Sequence, residues 1–429
     1  MIYNESKYNA HWDTKKLNQL GTFSRGKSKH RPRNDPRLYE NGRYPLIQTG
    51  DIKAANLFIT THSQEYGDFG LQQSKLWNTG TLCITIAANI AETGILAYPM
   101  CFPDSVVGFN AYADISSEFF MHYVFRYIRN AIQNSVSGSI QDNINIEYLS
   151  NLDFKVPDKP YQDKIVYVLS SIDKKIELNN RIIVELEAMA KTIYDYWFVQ
   201  FNFPNAEGKP YRFSGGEMVW NEQLKREIPK GWNVGTIKPF INVIRGVTYE
   251  KDDVQDAQSS GYICLLRANN IANGNINYDN VVYVKENKIS KEQLLMQNDV
   301  FICMSSGSKD HIGKTAIVTA DIGCSFGAFC SKIEIQSCAF SWLALYFRSK
   351  YFNSYIRNTC LGTNINNLNN DMLYNIVLPI PPEYVLQRFN AIIHPMIAKM
   401  GNTHVESIEL EHLRDWLLPM LMNGQVNVK

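Results

Sequence analysis

The chain repeats itself. VELEAM at 184–189 matches IELEHL at 408–413, a displacement of 408 − 184 = 224 residues. The same displacement pairs Gly138 with Gly362, Leu149 with Leu373, Asn151 with Asn375, Pro157 with Pro381 and Lys175 with Lys399. Towards the start of each copy it falls to 220 for Trp12 with Trp232 and for Arg25-Gly26 with Arg245-Gly246, and to 219 for PLIQTGDI (45–52) with CLLRANNI (264–271). A slowly drifting offset is what two copies of one unit leave when their loops differ in length. A duplicated chain builds one architecture twice, so an expectation for one half carries to the other.

Each copy ends in a helical stretch. Residues 161–198 lack Gly and Pro, and Ile165, Leu169, Ile172, Ile176, Asn179, Ile183, Leu186, Ala190 and Ile193 recur at alternating steps of four and three. That is a coiled-coil seam, with Asn179 the polar residue type that sets register at some cost in stability. A helix of this length is too long for an ordinary core helix and requires a partner. The repeat supplies one at 382–422. Its transferred seam is Phe389, Ile393, Met396, Met400, Thr403, Ser407, Leu410, Arg414 and Leu417. The polar residues in its second half predict that the apolar face drifts to Val405, Ile408 and Leu413, leaving surface for another chain to dock. Ile176, Asn179, Ile183 and Met400 are the expected register positions.

The segments before the helices mix strand-like runs (44–48, 56–60, 81–87) with helical ones (118–132), which makes the class α+β with a pseudo-twofold internal repeat. A Pro-, Gly- and Asn-rich stretch at 201–217 reads as a linker. Eight cysteines without a CxxC pair or zinc-like spacing read as thiols of a reducing cytoplasm. No apolar run approaches a membrane span, and the polar N-terminus lacks a signal-peptide core. With a net charge of only +1, any nucleic-acid contact must come from local basic patches.

Several stretches resemble the specificity subunit of type I restriction-modification systems. VPDKPYQDKI (156–165) and LPIPPEYVLQRF (378–389) look like the lead-ins to its two helices, and KKIELNNRIIVELEAMAKTIYDYWFVQF (174–201) like its central spacer helix. DWLLPMLMNGQVNV (415–428) looks like its C-terminal signature, and ANIAETGIL (88–96) with CFPDSVVGF (101–109) like one class of its target-recognition domains. The first lead-in departs from the PxPP pattern, with Lys159 in place of a second Pro. The resemblance implies a first target-recognition domain at 1–155, a spacer helix and linker at 156–203, a second recognition domain at 204–378 and a C-terminal spacer helix at 379–429. It implies two mixed α/β domains separated by two long antiparallel coiled-coil helices, each domain reading one half of a bipartite duplex DNA site. It further implies two docked modification subunits that methylate adenine with S-adenosylmethionine, restriction subunits that use ATP and Mg, and no cofactor or catalytic group in this chain.

Within that frame the residues suggest contacts. The loop 24–37 carries Arg25, Lys27, Lys29, His30, Arg31, Arg33 and Arg37 against one acid, Asp35. Such side chains give salt-dependent phosphate contacts, and Arg can bond a guanine edge through two hydrogen bonds. Arg245 is the repeat partner of Arg25. QTGD (48–51) and RANN (267–270) occupy equivalent places after a strand, so Gln48, Arg267, Asn269 and Asn270 are candidate base readers: Gln and Asn suit adenine, Arg suits guanine. Ordinary turn residues look the same. SSGSKDHIGKT (305–315) fails as a phosphate-binding loop on spacing, but Lys309, His311 and Lys314 fit a DNA-contacting loop.

Other chemistry finds little support. Glu286-Asn-Lys288 lacks an acidic partner for a metal nuclease, and IPPE (380–383) lacks the polar first residue an amino-methyltransferase tetrad needs. The histidines show no metal-ligand spacing. The alternatives are an interaction scaffold made from a duplicated module, or a nuclease or NTPase with unfamiliar motifs.

Overall fold

The computed structural model describes residues 2–137, 144–307, 311–360 and 367–428. It resolves into two compact units, Met1–Asn179 with Glu406–Lys429, and Asn180–Val405. The repeat is visible in the hydrogen bonding of each. In the first unit a five-stranded sheet runs in the order Gly21–Arg25, Val106–Ala111, Leu82–Thr85, Thr93–Leu96, Phe58–Ile59. In the second, Ile241–Arg245, Cys330–Ile335, Val300–Cys303 and Thr315–Ile317 follow the same antiparallel order without the fifth strand. A smaller sheet in each unit contains one parallel pairing, Leu46 opposite Cys101 and Leu265 opposite Ser325. A two-stranded ribbon closes each unit, Asp13 pairing with Val156 and Asn233 with Ile380.

Two details explain why the Arg-Gly dipeptide is duplicated. Gly26 donates its N–H to Val106 O, and Gly246 donates to Cys330 O. A Cβ on Gly26 would lie 2.3 Å from Pro103 O, and one on Gly246 2.2 Å from Gly327 O. The chain crosses a neighbouring backbone there so closely that no side chain fits. The short helices Ile146–Ser150 and Asn370–Tyr374 share a cap as well: Asn145 Oδ1 accepts the Tyr148 N–H at 2.7 Å, and Asn369 Oδ1 the Met372 N–H at 2.9 Å. The units differ where one helix, Glu118–Ser137, corresponds to two, Phe340–Phe347 and Lys350–Cys360.

The long helices span Lys159–Tyr194 and Glu383–Met422. Pro160 sits in the first turn of the first helix, where its missing N–H costs nothing. That helix ends in a π-helical turn, Asp195–Val199. The second carries Pro395 in its interior, on an exposed face where water can reach the carbonyl left without a donor. Inside the first unit the helices run antiparallel: Tyr161 bonds to Val426, Asp173 to Arg414 and Asn179 to Glu406. Inside the second, the rings of Tyr194, Trp197 and Phe198 gather on Phe389.

Each core contains its own share of both helices. Ile165 and Leu169 join Leu418, Leu421 and Met422 in the first core; Ala190 and Tyr194 join Phe389, Ile393 and Met400 in the second. The packing boundaries between the units therefore fall within the helices, at 179/180 and 405/406. Gly401 admits the second unit's Thr319, whose Cβ stands 2.2 Å from where a glycine Cβ would be.

The register positions Ile176, Asn179, Ile183 and Met400 are all buried. Asn179 donates from Nδ2 to Glu406 Oε2 at 2.9 Å, and Lys175 reaches Glu406 at 3.3 Å. The expected drift of the second seam is corrected. Thr403, Ser407 and Arg414 remain buried, whereas Val405 and Leu413 are each 44% exposed. The reason lies on the first helix, where Asp173 is buried and holds Arg414 in place.

Candidate nucleic-acid interface

In the second unit, loops that follow three strands converge on a cleft of about 540 Å³. Residues 247–249 follow the strand that ends at Arg245, and 267–269 follow Tyr262–Leu266. Residues 305–307 follow Val300–Cys303, and 327–330 lead into Cys330–Ile335. Arg267, Asn269 and His311 all line it, and no carboxylate does so among the described residues.

One side chain shapes the Arg267 loop from inside. Asn270 Oδ1 accepts the Arg267 N–H at 2.9 Å, and its Nδ2 donates to Asn277 O at 2.8 Å and Asp279 O at 2.9 Å. It is fully buried. Both donors and one acceptor position are used inside the fold, so Asn270 is a backbone clamp and not the base reader expected of it. Arg267 is half-buried; its Nη2 donates to Asn280 O at 2.8 Å, while its buried Nε has no hydrogen-bond partner among the described residues. Asn269 is exposed.

The first unit uses the same device. Asp51 Oδ2 accepts the Gln48 N–H at 2.7 Å, and Ser63 Oγ donates to the same oxygen at 3.0 Å. Asp51 and Asn270 are 219 residues apart, the local offset of the repeat. The fourth residue of QTGD and of RANN is therefore architectural. Gln48, Arg267 and Asn269 reach the surface: Gln48 is half-exposed, with Nε2 3.5 Å from Gln64 Oε1. The usable signal was the Asp or Asn three residues after Gln48 and Arg267, a spacing that commonly caps a turn.

The basic loop at 24–37 is more self-engaged than its composition suggests. Arg33 pairs with Asp104 at 2.6 Å, with Arg31 at 3.7 Å from the same carboxylate. Arg31 also donates to Ser28 O and His30 O. His30 Nε2 and Asp35 Oδ2 lie 2.7 Å apart, and Arg37 bonds both Asp35 oxygens. These hydrogen bonds, those from Arg37 foremost, hold the Asp35 carboxyl well below the usual carboxylate range. Arg25 and Lys29 are exposed, Lys27 half-buried. Backbone bonds from Lys27 to Phe102 O and from Lys29 to Gln73 O fix where these side chains start. Arg245 is exposed on the equivalent strand.

Lys309 lies outside the described residues. Lys314 is exposed in the turn joining Val300–Cys303 to Thr315–Ile317, where Gly313 adopts φ +77°. That Gly-Lys-Thr sequence closes an antiparallel hairpin, with no helix following it, so the phosphate-loop geometry is missing as its spacing foretold.

Among the described residues no group of three His, Cys, Asp or Glu side chains could hold a metal, and no helix is long and apolar enough to cross a membrane. Two copies of one α+β unit, each presenting side chains from the same clamped loop, define a duplicated recognition protein. The chain belongs to the family of type I restriction modification DNA specificity domains, whose model matches residues 9–188 and 229–412. It is 30% identical over 204 residues to the EcoKI specificity subunit of Escherichia coli K12, a match covering 47% of this chain and 44% of that one. The match to the StySPI specificity subunit of Salmonella potsdam spans 34% of that protein, so less than half the length of either relative is covered. The MjaIX specificity subunit of Methanocaldococcus jannaschii is 23% identical, with 97% of this chain and 94% of that one aligned. The crystal structure of a type I S subunit from M. genitalium has the same fold, with TM-score 0.62 and 15% identity over 98% of this chain and 99% of that one.

Proposed function

We propose that this chain is the DNA-reading subunit of a type I restriction-modification enzyme, each unit contacting one half of a bipartite duplex site. The observation that carries the reading is the pair of clamped loops. Asp51 and Asn270 hold the same backbone shape, while Gln48 and Arg267 present different chemistry on it. Two readers of different half-sites need the same scaffold and different edges. Exposed Arg25, Lys29, Arg245 and Lys314, with Lys27 beside them, supply phosphate contacts, and His311 lines the cleft around Arg267. The chain contributes position and no catalytic group. Two modification subunits bring S-adenosylmethionine and methylate an adenine in each half, which requires that base to leave the stack. Restriction subunits bring ATP and Mg.

The two long helices act as the spacer between half-sites. Inserting four residues after Asn179 lengthens a helix by about 6 Å. The number of unspecified base pairs between the half-sites then changes, and the half-sites themselves do not. Methylome sequencing of a host carrying this chain with its modification partner reads both. A gapped adenine motif supports the proposal; no gapped motif, or cleavage or ATP turnover by this chain alone, refutes it.

A further inference from the structure

Among the described cleft residues, Phe329 stands out because the fold does not explain its presentation. It lies at the edge of the Arg267 cleft with its side chain 71% exposed. Its backbone is held from several directions. Phe329 O accepts the N–H groups of Met304 at 2.9 Å and Ser305 at 3.0 Å, Cys330 donates to Gly327 O at 2.8 Å, and Gly327 donates to Leu266 O at 2.9 Å. The peptide is thereby tied to the strands that end at Leu266 and Cys303. The ring, in contrast, stacks on no other aromatic among the described residues. A large apolar group on a rigid turn, kept in water, gains nothing for the isolated fold.

The first unit has the same turn with different content. Ser105 stands 224 residues before Phe329, and Ser105 O accepts the Ile86 N–H at 3.0 Å as Phe329 O accepts that of Met304. The backbone is shared; the ring is present in one copy only. Among the described residues, the polar lining around Phe329 is Arg267, His311, Asn269, Thr248 and serines, beside apolar Val247 and Tyr249, and it includes no acid. That environment suits a polyanion better than an acidic or mixed protein surface.

We propose that Phe329 enters the base stack of the half-site read by the second unit, as an aromatic wedge that positions the DNA, with no counterpart in the other half-site. Apolar wedges unstack a base step and kink the duplex, most readily at pyrimidine–purine steps. The second half-site would then be selected partly by deformability, and the first through side-chain contacts alone. The inference rests on the DNA-reading role proposed above.

The test uses the full chain assembled with its modification subunits, and duplexes carrying 2-aminopurine at successive positions of either half-site. In the native complex the second half-site shows a fluorescence rise at one step besides that of the methylated adenine; the first half-site shows only the latter. Phe329→Ala abolishes the extra rise and weakens binding about tenfold or more, the loss of one base–aromatic stack. Phe329→Trp restores both. Because the side chain is exposed, unfolding midpoints of the variants stay at the native value, which separates the effect from misfolding. An alanine variant that keeps the native signal and affinity overturns the wedge and leaves DNA reading intact, since the complex still selects its gapped motif. Loss of modification-subunit assembly in Phe329→Ala overturns it in favour of a protein contact. A native complex that selects no gapped motif brings down the DNA-reading role itself.

Discussion

Arg414 Nη1 stands 2.8 Å from Asp173 Oδ1, and both side chains are almost fully buried where the two long helices pair in the first unit. Tyr123 donates to the other Asp173 oxygen at 2.6 Å, and Asn56 Oδ1 lies 3.3 Å from Arg414 Nη1. The network ties the recognition domain's helix Glu118–Ser137 and its 56 loop to both long helices at one point. Asp173→Ala leaves a buried guanidinium without its counter-ion and is expected to destabilise by about 3–5 kcal/mol. The double variant Asp173→Leu with Arg414→Met recovers most of that. Urea midpoints of the native protein and the two variants check it; a double variant no more stable than Asp173→Ala would contradict the pairing.

His122, beside that network, predicts an acid limit. Burial holds it neutral and pushes its pKa down from 6.5 to about 3, with Nδ1 3.0 Å from Thr93 Oγ1. Its folded pKa is below its unfolded one, so the unfolded chain binds the extra proton between about pH 6.5 and 3. Stability therefore falls as pH drops through that window and is unaffected by this group above it. His122→Gln is expected to flatten the acid slope of the unfolding free energy. An unchanged slope would show that other groups set it.

The crossings at Gly26 and Gly246 predict paired lesions. Alanine at either position drives a Cβ into a backbone carbonyl, which cannot rotate away, at a cost of about 1–3 kcal/mol. Each variant should raise hydrogen exchange in its own unit, with Gly26→Ala leaving the strand Ile241–Arg245 as protected as before.

Recognition itself separates clamp from reader. Arg267→Ala is expected to relax specificity at one position of one half-site, costing about 1–3 kcal/mol, with the other half-site unchanged. Asn270→Ala leaves Arg267 in place but unclamps its turn, and should lower stability along with affinity. Lys29→Ala is expected to weaken binding to all sequences alike and to lower the salt slope by about 1, as loss of one phosphate contact does. Binding measured against salt and by sequence selection distinguishes the three.

The duplication and both long helices were legible because they are written as offsets and periods along the chain. The offsets of 220 and 224 reappear as strand registers, Asp13 against Val156 and Asn233 against Ile380. What stayed hidden depends on partners far apart in sequence. Asp173, next to seam position Ile172, reads as a solvated charge until Arg414 and Tyr123 arrive from 241 and 50 residues away. The basic loop looked free because Asp104, which engages Arg33, lies 71 residues further on. Asn270 resembled a reader because clamp and reader share one amide chemistry; only its burial separates them.

The clamps at Asp51 and Asn270 bear on how such a chain can change. One clamping side chain per loop, half-buried Asp51 and fully buried Asn270, keeps the backbone in shape, so the exposed neighbours carry little of the folding burden. Mutations at Gln48, Gly50 or Asn269 can then be sampled with little risk to the fold. A protein arranged in this way can drift between target sequences by single substitutions, in one half at a time, while the other half keeps its meaning.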